Sequence, residues 1–282
     1  MNWHRRSTFS KSIAVLNSFI CYPNEVTRLL FNENVDLRRW LANNPQTLKL
    51  LAKPFLTTRW NARTRVDRII DHFDTVREVG HPVLLSHSEL VSLAQLTDTI
   101  YRLTLDQPLW ILFEGPIAFS LWEDVDRIFH LSFCLSSQNG RRVAYVGGLQ
   151  GLGEARALQR YRRFAELAGA RPRDFVVEAF KIFCRSIGVS EIRAVPDMYV
   201  PGRAEDGDVR KLSFDEVWRE RGGVLDEDGF YRLDPSPSRR SIESIVRKRR
   251  GRYRRRYAVL DGLQAQLTRL RSCCNDGKQI RN

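Results

Sequence analysis

Near residue 81 the chain changes its hydrophobic period, and that change restricts its fold more than any other feature. Before it, apolar side chains recur at helical intervals: Val26, Leu29, Leu30, Leu37, Trp40 and Leu41, then Leu48, Leu50, Leu51 and Phe55, then Val66, Ile69, Ile70 and Phe73. After it come short runs rich in β-branched and aromatic residues: Tyr101–Leu105, Leu109–Glu114, Ile117–Trp122, Ile128–Leu135 and Arg142–Val146. Turn chemistry separates them, at Asp106-Gln-Pro108, Gly115-Pro116, Glu123-Asp-Val-Asp126 and Gln138-Asn-Gly140. Asn139-Gly140 between two such runs is a strong two-residue hairpin signal. Loops this short can join only antiparallel neighbours, so a meander of four or five strands is expected.

Beyond the meander the pattern alternates. Helices are expected from about Glu154 to Leu167 and from Pro172 to Ile187, then a strand at Ser190–Val195 ended by Pro196. A short helix, Ser213–Arg221, stops at Gly222-Gly223, and a last strand covers Gly229–Leu233. The expected class is mixed α+β: a helical N-terminal region (1–80), an α/β core (81–235) and a basic C-terminal helix and tail (236–282). Asn24 and Pro45 read as helix-start signals in the first region. There is no internal repeat.

Between the meander and the next helix lies Val146-Gly-Gly-Leu-Gln-Gly-Leu-Gly153. A glycine-rich turn that leads from strand into helix presents free backbone N–H groups to an anion. It lacks the Gly-Lys-Ser/Thr ending of a Walker A loop and the parallel βαβ setting of a dinucleotide fingerprint. Gln150, Gly151, Leu152, Gly153, Glu154 and Ala155 resemble the pyrophosphate loop of the GNAT superfamily of acyl-CoA N-acyltransferases, Gln/Arg-x-x-Gly-x-Gly/Ala. The resemblance implies a GNAT-like mixed sheet whose splayed strands admit acyl-CoA as co-substrate. Its phosphorylated part would lie on Gln150, Gly151, Gly153 and Ala155. The spacing departs from the superfamily: two helices, not one, precede the next strand. No catalytic residue follows from the motif. Glu191, Tyr199 and Asp215 lie near the expected strand ends and read as surface or capping residues.

Tyr145-Val-Gly-Gly-Leu-Gln-Gly151 has companions in order: Arg171-Pro172, Ile192-Arg-Ala-Val195, Phe214-Asp-Glu-Val-Trp218, Gly222-Gly223 and Lys248-Arg-Arg-Gly-Arg-Tyr-Arg-Arg-Arg-Tyr257. Together they resemble the bacterial VirK/YbjX family over roughly residues 30 to 270. The resemblance implies a bacterial source and a role in envelope or virulence functions, with no cofactor. Where that family often has a His after the Ile-x-Ala-Val strand, this chain has Tyr199.

The formal net charge of +13 is concentrated at one end. Residues 239–282 hold 14 Lys and Arg against 3 Asp and Glu, leaving an excess of 2 for the rest. Within them Arg247, Lys248, Arg249, Arg250, Arg252, Arg254, Arg255 and Arg256 place eight cations in ten residues. On a helical wheel Ile242, Val246, Tyr253, Tyr257, Leu260 and Leu267 share one face, opposite Arg247, Lys248, Arg254 and Arg255. The expectation is a docked helix with a cationic ridge. Its partner could be nucleic-acid phosphates, anionic lipid headgroups or acyl-CoA, or the ridge could be a solvated face. No DNA- or RNA-binding motif accompanies it.

No apolar run reaches the ~20 residues needed to span a bilayer. The stretch Ser12–Cys21 after His4, Arg5, Arg6 and Lys11 reads as an amphipathic first helix, not as an export signal, because Asn17 breaks it and a small-x-small cleavage site is lacking. Cys21, Cys134 and Cys184 have apolar neighbours typical of buried thiols. They form no C-x-x-C pair with Cys273 or Cys274, and His72, His81, His87 and His130 lack ligand spacing. A reduced, cytoplasmic setting, with or without peripheral membrane contact, and no metal site are therefore expected. Two functions follow: acyl transfer to an envelope-related acceptor, or a non-enzymatic adaptor acting through the basic helix.

Overall fold

The computed structural model describes residues 18–81, 84, 90–96, 100–107, 112–152, 155–201, 212–236 and 239–279. One eight-stranded sheet organises it, in the order β1-β2-β3-β4-β5-β6-β8-β7. The strands are β1 (Leu90–Gln95), β2 (Tyr101–Asp106), β3 (Ile117–Glu123), β4 (Asp126–Gln138), β5 (Arg141–Gly151), β6 (Val189–Ala194), β7 (Val224–Leu225) and β8 (Tyr231–Leu233). Strands β1 to β5 form an antiparallel meander. Among the described strands β5 and β6 make the one parallel pair, from Arg142↔Val189 to Val146↔Ala194.

The meander has the expected number of strands but not the expected set. Leu90–Gln95 is its first strand, whereas the described part of Leu109–Glu114, Leu112–Glu114, is a turn. Gly115 has φ +156 and a Cβ there would meet the Phe133 backbone, so the chain turns flat against the sheet at that point. The Asn139-Gly140 hairpin forms as expected, with φ of 51° and 74° at its two residues.

Helices cover both faces. The first four lie N-terminal: α1 (Pro23–Leu30), α2 (Val35–Asn43), a 3-10 segment (Pro45–Leu51) and α3 (Ala62–Val79). Pro23 opens α1, so Asn24 lies inside that helix and caps nothing, while Pro45 opens the 3-10 segment. Asn34 and Asn61 are the caps of α2 and α3, accepting from Asp36 N–H at 3.0 Å and Thr64 N–H at 2.9 Å. Helix α3 lies on the Cys134 face of β4, where the thiol donates to the Arg68 carbonyl and the Leu135 amide donates to His72 Nδ1 at 3.0 Å.

The next helices, α4 (Ala155–Ala168) and α5 (Pro172–Ser186), together form the crossover from β5 to β6. Phe180 and Phe183 of α5 pack on Phe133 and Phe119, which point to the opposite face from Cys134. The two-helix crossover is longer than the superfamily's spacing, yet it closes the parallel pair. Helix α6 (Phe214–Glu220) is pinned by Trp218 Nε1, which donates to the Val195 carbonyl at 2.9 Å.

The last helix, α7 (Arg247–Gln279), buries Leu260, Leu263 and Leu267 against α4, α5 and the edge strand β1. Gln266 closes that edge: its side chain both donates to the Gln95 carbonyl at 3.0 Å and accepts from the Gln95 amide at 3.2 Å. Gly169 (φ +67) lets α7 approach, because a Cβ there would overlap the Arg252 carbonyl. One buried apolar cluster runs from Val26 to Leu267.

The cysteine and N-terminal readings need adjustment. Cys134 and Cys184 are buried free thiols, but Cys21 is exposed. Residues 1 to 17, which include most of the expected first helix, lie outside the described residues, as do His87 and the side chains of Cys273 and Cys274. No described helix is long and apolar enough to cross a membrane.

Candidate functional site

The glycine-rich segment is mostly strand. Val146-Gly-Gly-Leu-Gln-Gly151 forms the second half of β5, and α4 opens at Ala155. Gly147 is the extra residue of a bulge between Ser132↔Gly148 and Phe133↔Val146. A Cβ on Gly148 would overlap the Glu114 carboxylate, and one on Gly151 would overlap the Tyr161 hydroxyl. These glycines therefore admit neighbouring groups to the strand. Of the residues expected to hold a pyrophosphate, Gln150 and Gly151 end β5, with Gln150 opposite His130 and Gly151 opposite Phe129. Ala155 opens α4, and Gly153 lies outside the described residues.

Glu114 occupies the space that the glycines leave. Its Oε1 accepts from Gln150 Nε2 and its Oε2 from Ser132 Oγ at 3.1 Å, and Leu56 lies beside the same bulge. Burial raises its pKa from 4.5 to about 7, against the lowering effect of those two donors. It sits where the parallel pair ends. The Val195 amide donates to the Val146 carbonyl at 2.9 Å, after which β6 gives way to Pro196 while β5 runs on to Gly151. A carboxyl that titrates near neutrality can accept or return a proton at working pH. The sequence offered one faint clue to it, a lone acid beside Gly115-Pro116.

The buried imidazoles differ from Glu114. Burial lowers the pKa of His72 to about 3, and burial with the nearby Arg127 lowers that of His130 to about 3. Both are neutral near pH 7. Among the described residues no three His, Cys, Asp or Glu side chains gather as a metal site.

A concave feature lies nearer the hairpin end of β5. A cavity of about 560 Å³ is lined by Trp60, Arg68, Gln138, Tyr145, Arg193 and Phe230, with Asp228 at its lip. Trp60, Tyr145 and Phe230 pack mutually, with ring centroids 5.3 to 5.8 Å apart. The guanidiniums of Arg68 and Arg193 lie 5.3 and 6.0 Å from the Tyr145 ring centre. Arg68 donates to Ser136 Oγ at 2.9 Å and pairs with Asp71 at 3.2 Å. Arg193 donates through Nε to Glu191 at 2.6 Å and through Nη1 to Asp228 at 2.8 Å.

The other sequence candidates are structural. Glu191 positions Arg193. Asp215 accepts from the Asp197 amide at 2.9 Å, while Asp197 accepts from the Phe214 amide at 2.8 Å, a reciprocal cap on α6. Tyr199 lies under the Arg59 guanidinium at 5.1 Å, and its carbonyl accepts from the Thr58 amide.

The basic cluster divides in two. Arg250 donates to the Ile245 and Glu243 carbonyls, Arg252 donates to the Gly169 carbonyl at 2.9 Å, and Arg256 grips Glu178 with two N–H groups. Glu178 also pairs with Arg221 at 3.0 Å. Arg252 and Arg256 dock the helix, and Arg250 fastens the segment that leads into it. Arg247, Lys248, Arg254 and Arg255 form the exposed ridge, and Arg249 is exposed on another side of the helix. Val246, expected on the apolar face, is 71% exposed, and Ile245 is buried in its place.

A family model described as "Protein of unknown function (DUF535)" matches residues 7–269. The chain belongs to this family. The Escherichia coli (strain K12) protein "Uncharacterized protein YbjX" is 27% identical over 284 residues, covering 94% of this chain and 84% of that protein. An "Uncharacterized protein" of Haemophilus influenzae is 26% identical over 227 residues, covering 77% of this chain and 74% of its own length. The VirK/YbjX resemblance read from the ordered motifs is thus borne out, and these DUF535 relatives are bacterial.

Proposed function

We propose that this DUF535 protein transfers an acyl group from acyl-CoA to an envelope-related acceptor, with Glu114 as general base. The observation that carries the reading is Glu114 itself: a carboxyl with a pKa of about 7, packed on the stretch of β5 just past the end of the parallel pair. The GNAT-like resemblance calls for strands that part beside the thioester; here β6 ends at Ala194, and β5 runs on past it from Val146 to Gly151. The phosphorylated end of the donor would approach Gln150 and Gly151 and the N-terminus of α4, where amide N–H groups favour an anion. In the reaction the acceptor's amine or hydroxyl gives its proton to Glu114 as it bonds to the thioester carbonyl carbon. The C–S bond breaks and the departing thiolate takes up a proton. A well-placed base contributes about 10²- to 10⁴-fold to such a step. Calorimetric titration with CoA and acetyl-CoA tests it. Saturable heat with the acyl thioester supports the reading, and no heat at millimolar ligand with folded protein rejects it.

The exposed ridge favours a second reading, a peripheral adaptor at an anionic membrane. Four cations on one helix face, Arg247, Lys248, Arg254 and Arg255, each worth about 1 kcal/mol near such a surface, suffice for salt-sensitive attachment. Co-sedimentation with anionic and neutral vesicles tests this reading, and equal binding to both kinds of vesicle would reject it.

A further inference from the structure

The cavity over Tyr145 is distinct from the Glu114 site, since the fully buried Phe55 and Leu56 stand between Trp60 and the Gly147 bulge. Its size falls within the usual range for small-ligand sites, about 300 to 1,000 Å³. Its charges are fixed unequally. Arg193 is only 18% exposed and is held from below by Glu191 and by the Tyr145 ring. Its partner Asp228 is 66% exposed and stands in the turn closed by the Gly229 amide on the Asp226 carbonyl. The lip of the cavity is therefore an ion pair with one anchored member and one solvated member.

Arg68, Arg193 and Asp228 are the charged residues of the lining, and both guanidiniums already hold carboxylates, so a simple anion meets Asp228 at the lip and arginines that are already paired. A simple cation meets two guanidiniums. A molecule carrying both charges meets neither objection. It can insert between Asp228 and Arg193, exchange their one ion pair for two, and lay an apolar side chain against the half-buried Trp60. We infer that this cavity binds a small zwitterion of the α-amino acid type, its carboxylate on Arg193 and its ammonium on Asp228. The inference does not depend on the acyltransferase reading, because binding there requires no acyl donor.

Calorimetry on the full chain with three probes decides it: L-phenylalanine, 2-phenylethylamine, which lacks the carboxylate, and 3-phenylpropionate, which lacks the ammonium. The wild-type protein should bind phenylalanine at least tenfold more tightly than either analogue, about 1.4 kcal/mol. Asp228→Asn should erase the preference over phenylpropionate, and Arg193→Gln the preference over phenylethylamine. Equal binding of either analogue by the wild type would make the cavity a plain anion or cation site and overturn the inference. No binding of phenylalanine at about 10 mM, a concentration that detects sites weaker than millimolar, would also overturn it. The wild-type comparison needs no variant, so a misfolded variant leaves it intact.

Discussion

Replacing Glu114 with Gln should change how stability depends on pH, and the size of the change follows from the burial of the carboxyl. In the folded protein the group titrates near 7 and in the unfolded chain near 4.5. Its folded pKa is therefore raised, and between those values the folded state holds the proton that the unfolded state has lost. Stability then falls as pH rises through that window. Each pH unit is worth about 1.4 kcal/mol, so the full effect is about 3 kcal/mol, absent below pH 4.5 and complete above pH 7. Gln is neutral throughout and can still accept from Ser132. Urea unfolding, followed by the fluorescence of the six tryptophans, would be measured at pH 5 and pH 8 at constant ionic strength. The variant should match the wild type within about 1 kcal/mol at pH 5 and exceed it by about 2 to 3 kcal/mol at pH 8. Other titrating groups cancel in the difference. Parallel pH profiles for the two proteins would refute the claim that Glu114 is held protonated by its surroundings.

Two glycine substitutions should act in opposite directions. Gly169→Ala places a methyl on the Arg252 carbonyl at φ +67 and should destabilise by more than about 1 kcal/mol, whereas Gly251→Ala meets nothing and should stabilise α7 by about 1 kcal/mol. Thermal melts of the two variants check the pair. On the ridge, Arg247→Glu, Arg254→Glu and Arg255→Glu together should weaken anionic-vesicle binding at least a hundredfold at low salt without lowering the melting temperature by more than a few degrees. Arg256→Glu should instead lower the melting temperature, because it leaves Glu178 facing a like charge.

How much of this could be read from residue order depended on how local each feature was. The Asn139-Gly140 hairpin, the paired crossover helices and the basic last helix rest on short-range chemistry and were legible. The glycine run was misleading, because clustered glycines ordinarily mark turns. Here Gly147 makes a bulge and Gly148 clears room for Glu114, a residue 34 positions earlier. The swap of Leu109–Glu114 for Leu90–Gln95 as a strand has the same origin. The described end of the apolar run before Gly115, Leu112–Glu114, is a turn, and the edge strand is covered by α7 instead of signalling itself by alternation. The cavity draws on Trp60, Arg68, Tyr145, Arg193 and Phe230 from four separate parts of the chain, with no local motif to join them. The division of the arginines into docking and exposed sets was equally invisible, because Glu178 and the Gly169 carbonyl decide it.

Single-turnover acyl transfer from acetyl-CoA to an amine acceptor, followed from pH 6 to 9 in the wild type and in Glu114→Gln, tests the general-base role most directly. The rate should climb through an apparent pKa near 7 and fall about 10²- to 10⁴-fold in the variant, while calorimetric affinity for acetyl-CoA stays the same. A flat profile, or undiminished transfer in the variant, would contradict it.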